Sequence, residues 1–177
     1  MAKWNSNIQW QKDSSYILRC LEASFGPSKK ENPMITFKYE VVSPETFEVA
    51  GVSYDIAGTP IKTWQVCQTL VDGVVDVEKT TKNKEALVKL YNAFGLDSTN
   101  INPENPDTSG FIGKCVYALL YNDQQDQRKT PTKAQLDKGI KQGDILLNPM
   151  TKQPLKSNYP KIGEIFGLAP TDGNKPY

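Results

Sequence analysis

The stretch that decides the fold runs from Tyr16 to Val42: Tyr16-Ile-Leu-Arg-Cys-Leu-Glu-Ala-Ser24, then Phe25-Gly-Pro-Ser-Lys-Lys-Glu-Asn-Pro33, then Met34-Ile-Thr-Phe-Lys-Tyr-Glu-Val-Val42. The first and third parts are rich in β-branched and aromatic residues, and the middle part contains one glycine and two prolines, which break strands. Apolar and polar residues alternate in the third part, so one face of that strand is expected to be buried and the other exposed. The stretch therefore predicts a β-hairpin with Lys29 and Lys30 at its tip.

Length and composition predict one ordinary globular domain over residues 1–168, followed by a flexible tail at 169–177. The 177 residues carry a formal net charge of +1, so a polyanionic partner needs a local basic patch. No apolar run reaches the ~20 residues of a membrane span, and the amino terminus lacks the apolar core of a secretory signal. Three widely spaced cysteines, Cys20, Cys67 and Cys115, are typical of reduced thiols in a cytoplasmic protein.

The chain contains no histidine, which excludes Ser-His-Asp and Cys-His nucleophiles and histidine metal ligands. It also lacks a Cys-x-x-Cys pair, and Gly110-Phe-Ile-Gly113-Lys114-Cys115 has neither the spacing nor the hydroxyl residue of a phosphate-binding loop. We therefore expect no enzyme activity, no cofactor and no metal. A nuclease that uses carboxylates alone to bind a metal stays open as a third hypothesis.

Further strand segments are predicted at 47–52, 54–57 and 60–70, with bends at Gly51 and Gly58. Within the last segment, alternation places Lys62, Trp64 and Val66 on one face. An amphipathic helix is predicted at 82–94 from the spacing of Leu87, Leu90, Tyr91 and Phe94, with Thr80 or Thr81 as its cap and Gly95 as its stop.

The second half of the chain begins with an acidic loop at 97–110, which is unsuited to phosphate contact. A strand is predicted at 111–121, and a polar excursion follows it. In this excursion Thr132 and Gln135 form a capping-box pattern, which predicts a short helix to about Ile140 ended by Gly143. A brief strand at 144–147 and a final ordered element at 155–168 complete the chain.

This order of elements predicts a mainly β protein. It favours a five-stranded antiparallel barrel of the oligonucleotide/oligosaccharide-binding (OB) type, with one helix between strands three and four and a long polar insertion between strands four and five. A β-sandwich with one helix is the alternative that the same pattern permits.

The chain resembles the single-stranded DNA-binding proteins of bacteriophages that are built on this barrel. The likeness lies in the strand at 16–23, the Ser28-Lys-Lys-Glu-Asn-Pro-Met-Ile-Thr-Phe37 hairpin, the helix end at 91–96, Gly113-Lys114, and Asn158-Tyr-Pro-Lys-Ile162. The resemblance implies sequence-independent binding and protection of single-stranded DNA in replication or recombination, in the cytoplasm of an infected host. It also implies other replication or recombination proteins as partners. The tail Pro170-Thr-Asp-Gly-Asn-Lys-Pro-Tyr177 departs from the family's acidic tail, so tail-mediated recruitment is not implied.

Binding of single strands needs cations for phosphates and flat aromatic faces for bases. On a barrel of this type the binding surface is the outer face of strands two and three, flanked by the loops between strands one and two and between strands four and five. Residues 123–156 contain seven basic and four acidic residues, so the excursion is net positive. The candidate DNA-binding residues are Lys29, Lys30, Lys38, Tyr54, Lys62, Trp64, Arg128, Lys129, Lys133, Tyr159 and Lys161.

Each candidate has a structural alternative. The lysines could be ordinary solvated residues, Tyr54 and Tyr159 could serve packing, and Trp64 could lie in the core if the strand slipped by one residue. The second hypothesis for the whole chain is a non-enzymatic interaction or structural module on a β-barrel or β-sandwich.

Overall fold

A computed structural model describes residue 10, residues 14–49 and residues 51–170. Most of this part of the chain is β-structure, with one long helix, one short helix and a 3-10 turn at Ser109–Phe111. The strands are β1 (Ser15–Pro27), β2 (Pro33–Ser43), β3 (Thr46–Val49), β4 (Val52–Asp55), β5 (Pro60–Val66), β6 (Leu70–Val71), β7 (Val74–Val75), β8 (Cys115–Asp126) and β9 (Lys156–Leu168). The helices are α1 (Val77–Ala93) and α2 (Lys133–Asp137).

The five long strands form one antiparallel sheet in the order β5-β2-β1-β8-β9. Two small hairpins stand apart from this sheet, β3 with β4 and β6 with β7. Within the described residues, no backbone ladder joins the edge strands β5 and β9. The expectation of a mainly β chain with a large antiparallel sheet is therefore confirmed.

The opening hairpin is confirmed in its strands and in its turn. Ser28 closes the turn: its backbone amide donates to the Asn32 carbonyl at 2.8 Å, and its hydroxyl accepts from the amides of Lys30 and Asn32 at 3.2 and 3.0 Å. Glu31 adopts a left-handed φ of 61°, which lets the chain reverse within five residues. Lys29 and Lys30 are consequently exposed at the tip, as predicted.

The inward face of β2 forms the centre of the core. Ile35, Phe37, Tyr39 and Val41 are each at most 1% exposed. Phe37 meets Phe111 edge-on, with 5.1 Å between ring centroids, and Phe111 meets Phe94 of the helix end in the same way at 4.9 Å. The predicted alternation of β2 is confirmed, because the intervening Thr36, Lys38 and Glu40 are half-buried or exposed.

Helix α1 begins at Val77, five residues before the predicted start. The carboxylate of Asp76 caps it by accepting from the Lys79 amide at 3.1 Å, whereas the Thr80 hydroxyl bonds to the backbone of Thr69 instead. The predicted cap at Thr80 or Thr81 was therefore wrong, because the first turns of α1 are polar and leave no apolar stripe to mark them. The predicted stop is confirmed, since Gly95 has a φ of 67°.

Helix α1 packs over the gap between the two edges of the main sheet. Leu87 and Phe94 are fully buried, and Leu90 is partly buried against the same core. A cavity of about 210 Å³ lies here, lined by Gln65 of β5, by Ala86, Lys89 and Leu90 of α1, and by residues 162–165 of β9. Strands β5 and β9 thus approach each other beneath the helix.

The excursion between β8 and β9 has a defined structure. The capping box of Thr132 and Gln135 is present, but α2 ends at Asp137 and Gly139, with a φ of 79°, lies just after it. The prediction that Gly143 ends this helix was therefore wrong. A Cβ at Gly143 would lie 2.0 Å from the Lys129 carbonyl oxygen, so glycine is needed there for close passage of two backbones. The predicted strand at 144–147 is reduced to isolated bridges, Arg128 with Ile145 and Leu147 with Pro154.

The last strand, β9, confirms the predicted final element. The chain is still held at Ala169, which is 6% exposed and whose amide donates to the Cys115 carbonyl at 2.9 Å. The predicted tail from Ala169 is therefore anchored at its first residue, and residues 171–177 lie outside the described part of the chain. Over that described part, no helix is long and apolar enough to cross a lipid bilayer.

All three cysteines are buried and free of disulfides. Burial raises the pKa of the Cys20 thiol to about 12 and that of the Cys67 thiol to about 11, from an ordinary value of 9.0. Folding therefore favours the neutral thiol at both positions.

Truncation of Asp76 to alanine tests where α1 begins. Removal of the cap is expected to lower the free energy of unfolding by about 0.5–2 kcal/mol, because the Lys79 amide loses its acceptor. Thr81→Ala is the matched control: Thr81 lies inside the helix, where alanine has the higher helix propensity, so no loss is expected. Urea unfolding followed by circular dichroism measures both variants, and a larger loss for Thr81→Ala would contradict the assigned start.

A second experiment concerns the buried thiols and alkaline pH. Above pH 9 the unfolded chain loses thiol protons that the folded chain keeps, so stability is full below pH 9 and falls as pH rises toward 11–12. The fall is expected to reach about 1.4 kcal/mol per pH unit for each thiol. Cys20→Ala should flatten this slope in urea titrations between pH 8 and pH ~10.5. An unchanged slope would show that Cys20 does not titrate in the expected range.

Candidate nucleic-acid interface

The outward side chains of β1, β2 and β5 line up in three rows across the sheet. Cross-strand register pairs β1 with β2 and β2 with β5, so that each row has one residue from each strand. The rows are Arg19-Glu40-Pro60, Glu22-Lys38-Lys62 and Ser24-Thr36-Trp64. We call these nine residues the outer face. The structure thereby brings together Lys38, Lys62 and Trp64, which the sequence predicted to share one surface.

Trp64 is the large aromatic side chain of the outer face and is 58% exposed. Its row contains only small polar neighbours, Ser24 and Thr36, which leave the ring uncovered. The Lys62 ammonium lies 5.7 Å from the centre of the ring, within range of a cation–π interaction. The slip that would have put Trp64 in the core does not occur, because Ile61 and Cys67 occupy the inward positions of this segment.

The middle row combines two cations with one anion. Lys38 and Lys62 are directly opposed, and the Lys38 Nζ lies 3.7 Å from the Glu22 carboxylate on the other side. Lys62 has no ion-pair partner within the described part of the chain. A depression of about 550 Å³ runs along these residues, lined by Glu22, Ser24, Thr36, Lys38, Pro60, Ile61 and Lys62. Lys62 is therefore the cation of this face that is best placed to meet an external anion.

Lys29 and Lys30 lie beyond the tryptophan end of the outer face. Strand β2 begins at Pro33, three residues before Thr36, which is about 10 Å along the strand. The two lysines are exposed on the turn that precedes it. They extend the line of cations that starts at Lys38 and Lys62.

The remaining candidates apart from Tyr54 lie on β9 and on the excursion between β8 and β9. We call the paired segments 120–126 and 156–162 the ribbon. Tyr159 is opposite Asp123 and Lys161 is opposite Tyr121, all on its outward side. On the excursion, Arg128, Lys129 and Lys133 are exposed, and the Arg128 guanidinium donates to the Gly143 carbonyl at 3.1 Å. These residues form a second group, apart from the outer face of β2 and β5.

Tyr54 belongs to neither group. It lies on β4 in the small separate hairpin and packs, partly buried, against the main core. Tyr54 therefore serves packing, which was the alternative given for it in the sequence analysis.

Sequence inspection missed Tyr121. The odd-numbered residues Tyr117, Leu119 and Tyr121 point outward from β8, while Val116, Ala118 and Leu120 point inward and are buried. Because both sets are apolar or aromatic, the alternation was hidden. The only available signal was that Tyr121 is an odd number of residues away from each of these buried residues, which places it on the opposite face of the strand.

The loop at 97–110 is acidic, in contrast to the surfaces that carry the cationic candidates. Hydroxyl and amide donors from Thr99 hold the pKa of Asp97 below its usual value, and those from Ser109 do the same for Asp107. Both groups therefore stay anionic at neutral pH. The expectation that this loop is unsuited to phosphate contact stays a prediction.

Within the described residues, no group of three or more histidine, cysteine or acidic side chains is placed to hold a metal ion. No protein-family model, no curated protein and no solved structure matches the chain. The outer face and the ribbon are therefore the features of the molecule that point to a function.

Replacement of Lys62 tests the charge arrangement of the middle row through stability alone. Like charges directly opposed across strands are destabilising, so the free energy of unfolding of Lys62→Gln relative to the parent chain should be higher at low salt than at high salt, by roughly 0.2–1 kcal/mol. The contact with Trp64 is lost at both salt concentrations, so the difference between them reports the charge repulsion. Lys82→Gln, which removes a helix lysine paired with Glu78 at 3.8 Å, should bring no gain at low salt. A relative stability of Lys62→Gln that does not rise at low salt would contradict the assigned opposition.

Proposed function

We propose that the chain binds single-stranded DNA, largely independently of sequence, on the outer face and the ribbon. The observation that carries the proposal is the half-exposed Trp64 ring with the Lys62 ammonium 5.7 Å from its centre. A flat aromatic face and a nearby cation on one surface are the two groups that single-strand binding requires. The depression beside them gives an extended strand room along the sheet.

The strand order supports a barrel of the OB type as the architecture. With the long strands counted along the chain, their order across the sheet is third, second, first, fourth, fifth, and α1 lies between the third and the fourth. The edge strands β5 and β9 approach each other under α1, which is where such a barrel closes. In this architecture the outer face of β2 and β5 is the surface used for oligonucleotides.

The chemistry of the outer face accounts for a lack of sequence preference. Every base has a π-face that can stack on Trp64, and each such contact is worth about 1–3 kcal/mol. Lysine ammonium groups contact phosphates, which are the same for every base. A duplex keeps its bases stacked on one another, so only an unpaired strand can use the tryptophan.

The second group would extend the phosphate contacts. We propose that Lys29 and Lys30 contact phosphates at the tryptophan end of the outer face, and that Arg128, Lys129, Lys133 and Lys161 contact phosphates on the excursion and the ribbon. The anionic loop at 97–110 keeps the strand off the surface beyond the end of α1.

In keeping with the sequence resemblance, the role would be to bind and protect single strands during phage DNA replication or recombination in the host cytoplasm, together with other replication or recombination proteins.

One observation favours a second candidate, a module that contacts another protein. Four valines are exposed on the β6–β7 hairpin and the first residue of α1: Val71, Val74, Val75 and Val77, at 49, 70, 40 and 75%. Exposed apolar groups this close together are typical of interaction surfaces. This candidate predicts no affinity for single-stranded DNA.

A salt series with a labelled oligothymidine tests the proposal, with a duplex of the same length as the reference. Affinity should fall as salt rises, and Lys62→Gln should reduce the slope of log K against log salt by about 0.7. Trp64→Ala should weaken binding by about 1–3 kcal/mol. Lys82→Gln, on the outward side of α1, should leave both quantities unchanged.

A change at Glu22 is expected to alter the affinity of the same surface in the opposite direction. Because its carboxylate lies 3.7 Å from Lys38 Nζ, Glu22→Gln should release that cation and tighten binding to single strands. No affinity for single strands, or equal affinity for duplex, would refute the proposed function and leave the protein-contact candidate.

A further inference from the structure

The ribbon repeats the arrangement found at Trp64. Lys161 lies directly opposite Tyr121, and its ammonium is 5.9 Å from the centre of the tyrosine ring, compared with 5.7 Å for Lys62 and Trp64. Tyr159 lies on the same outward side, diagonal to Tyr121, because it pairs with Asp123 two residues further along β8. Diagonal neighbours on one face of a sheet are within reach of each other's aromatic rings.

The backbone of β9 runs beside the Tyr121 ring at Gly163. A Cβ at Gly163 would lie 3.4 Å from the ring, which is an ordinary van der Waals distance. The ring is half-buried, so part of it is open to a ligand.

Tyr121 differs from its neighbour Tyr117 on the same side of β8. Tyr117 packs against a second apolar cluster made of Ile17, Val42, Cys115 and Ala169. Among the residues that the structure describes, Tyr121 belongs to neither apolar cluster and contacts a glycine and a lysine instead. Packing explains Tyr117 and leaves Tyr121 without a comparable role in the core.

The two lysine–aromatic pairs flank the gap between the edge strands. Gln65 and Ile162 both line the cavity under α1, and they directly follow Trp64 and Lys161 in the sequence. Since successive strand residues point to opposite faces, Trp64 and Lys161 point away from that cavity. The two pairs therefore lie on the outward side, one on β5 and the other across β8 and β9.

We propose that Tyr121, with Tyr159 and Lys161, forms a second base-stacking station on the ribbon. The inference rests on the proposed function and deepens it: one single strand is held at two stations, Trp64 on β5 and Tyr121 on β8. Lys161 supplies the phosphate contact of the second station. Asp123, which accepts from the Gln125 amide at 2.8 Å, keeps phosphates away from the Tyr159 side.

The second station predicts that the effect of a Tyr121 change depends on strand length. A strand of about 16 nucleotides can reach both stations, whereas one of about 4 nucleotides occupies only one. Tyr121→Leu, which keeps an apolar side chain beside Gly163 but no flat ring, should weaken binding of the long oligothymidine about 5- to 150-fold. The loss for the short one should be smaller, and Tyr121→Phe should retain affinity for both.

Two further variants complete the experiment. Tyr117→Leu is the matched control, a half-buried tyrosine on the same strand, and should bind both strands like the parent chain. Lys161→Gln, an exposed change that leaves the ring in place, should lower affinity for the long strand even if Tyr121→Leu folds poorly.

The outcomes separate the two proposals. If the parent chain binds neither strand, the proposed function fails. If Trp64→Ala weakens binding but Tyr121→Leu and Lys161→Gln leave the affinity for the long strand unchanged, only the second station is overturned. Losses for both variants that grow with strand length support it.

Discussion

The register of β1, β2 and β5 is the constraint on which the rest of the molecule depends. Burial of Phe37 against Phe111, at 5.1 Å, fixes which side of β2 faces the core. Because side chains alternate, the same contact turns Lys38 outward, and pairing with β5 turns Lys62 and Trp64 outward with it. A slip of one residue would invert the whole face. The pairing of β1, β2 and β5 therefore determines both which side chains pack in the core and which form the candidate interface.

The outer face also shows a conflict between folding and binding. Lys38 and Lys62 stand opposite each other, and the Trp64 ring is 58% exposed. Opposed like charges and exposed aromatic surface both cost free energy, and the Lys38–Glu22 ion pair and the Lys62–Trp64 contact offset part of that cost. A ligand that carries negative charge and flat apolar groups would reverse each of these costs.

The parts of this arrangement that could be predicted from the sequence are those set by a clear pattern among residues close together in the chain. The alternation of β2, the turn at Lys29 and Lys30 and the capping box at Thr132 are of this kind. The start of α1 was missed because its polar first turns depend on a single cap, Asp76, and Tyr121 was missed because both faces of β8 are apolar. The packing of Tyr54 and the meeting of β5 with β9 arise only from tertiary contacts.

Tryptophan fluorescence tests the central claim most directly, since Trp64 is 58% exposed whereas Trp10 is 2% exposed. On titration with oligothymidine at low salt, emission from Trp64 should be quenched in parallel with the anisotropy increase of a labelled strand, and most of that quenching should vanish in Trp64→Phe. The chain also contains Trp4, so the emission of Trp64 is taken as the difference between the parent chain and Trp64→Phe. If the strand binds while that difference stays constant to saturation, the bases do not stack on this face and the account is contradicted.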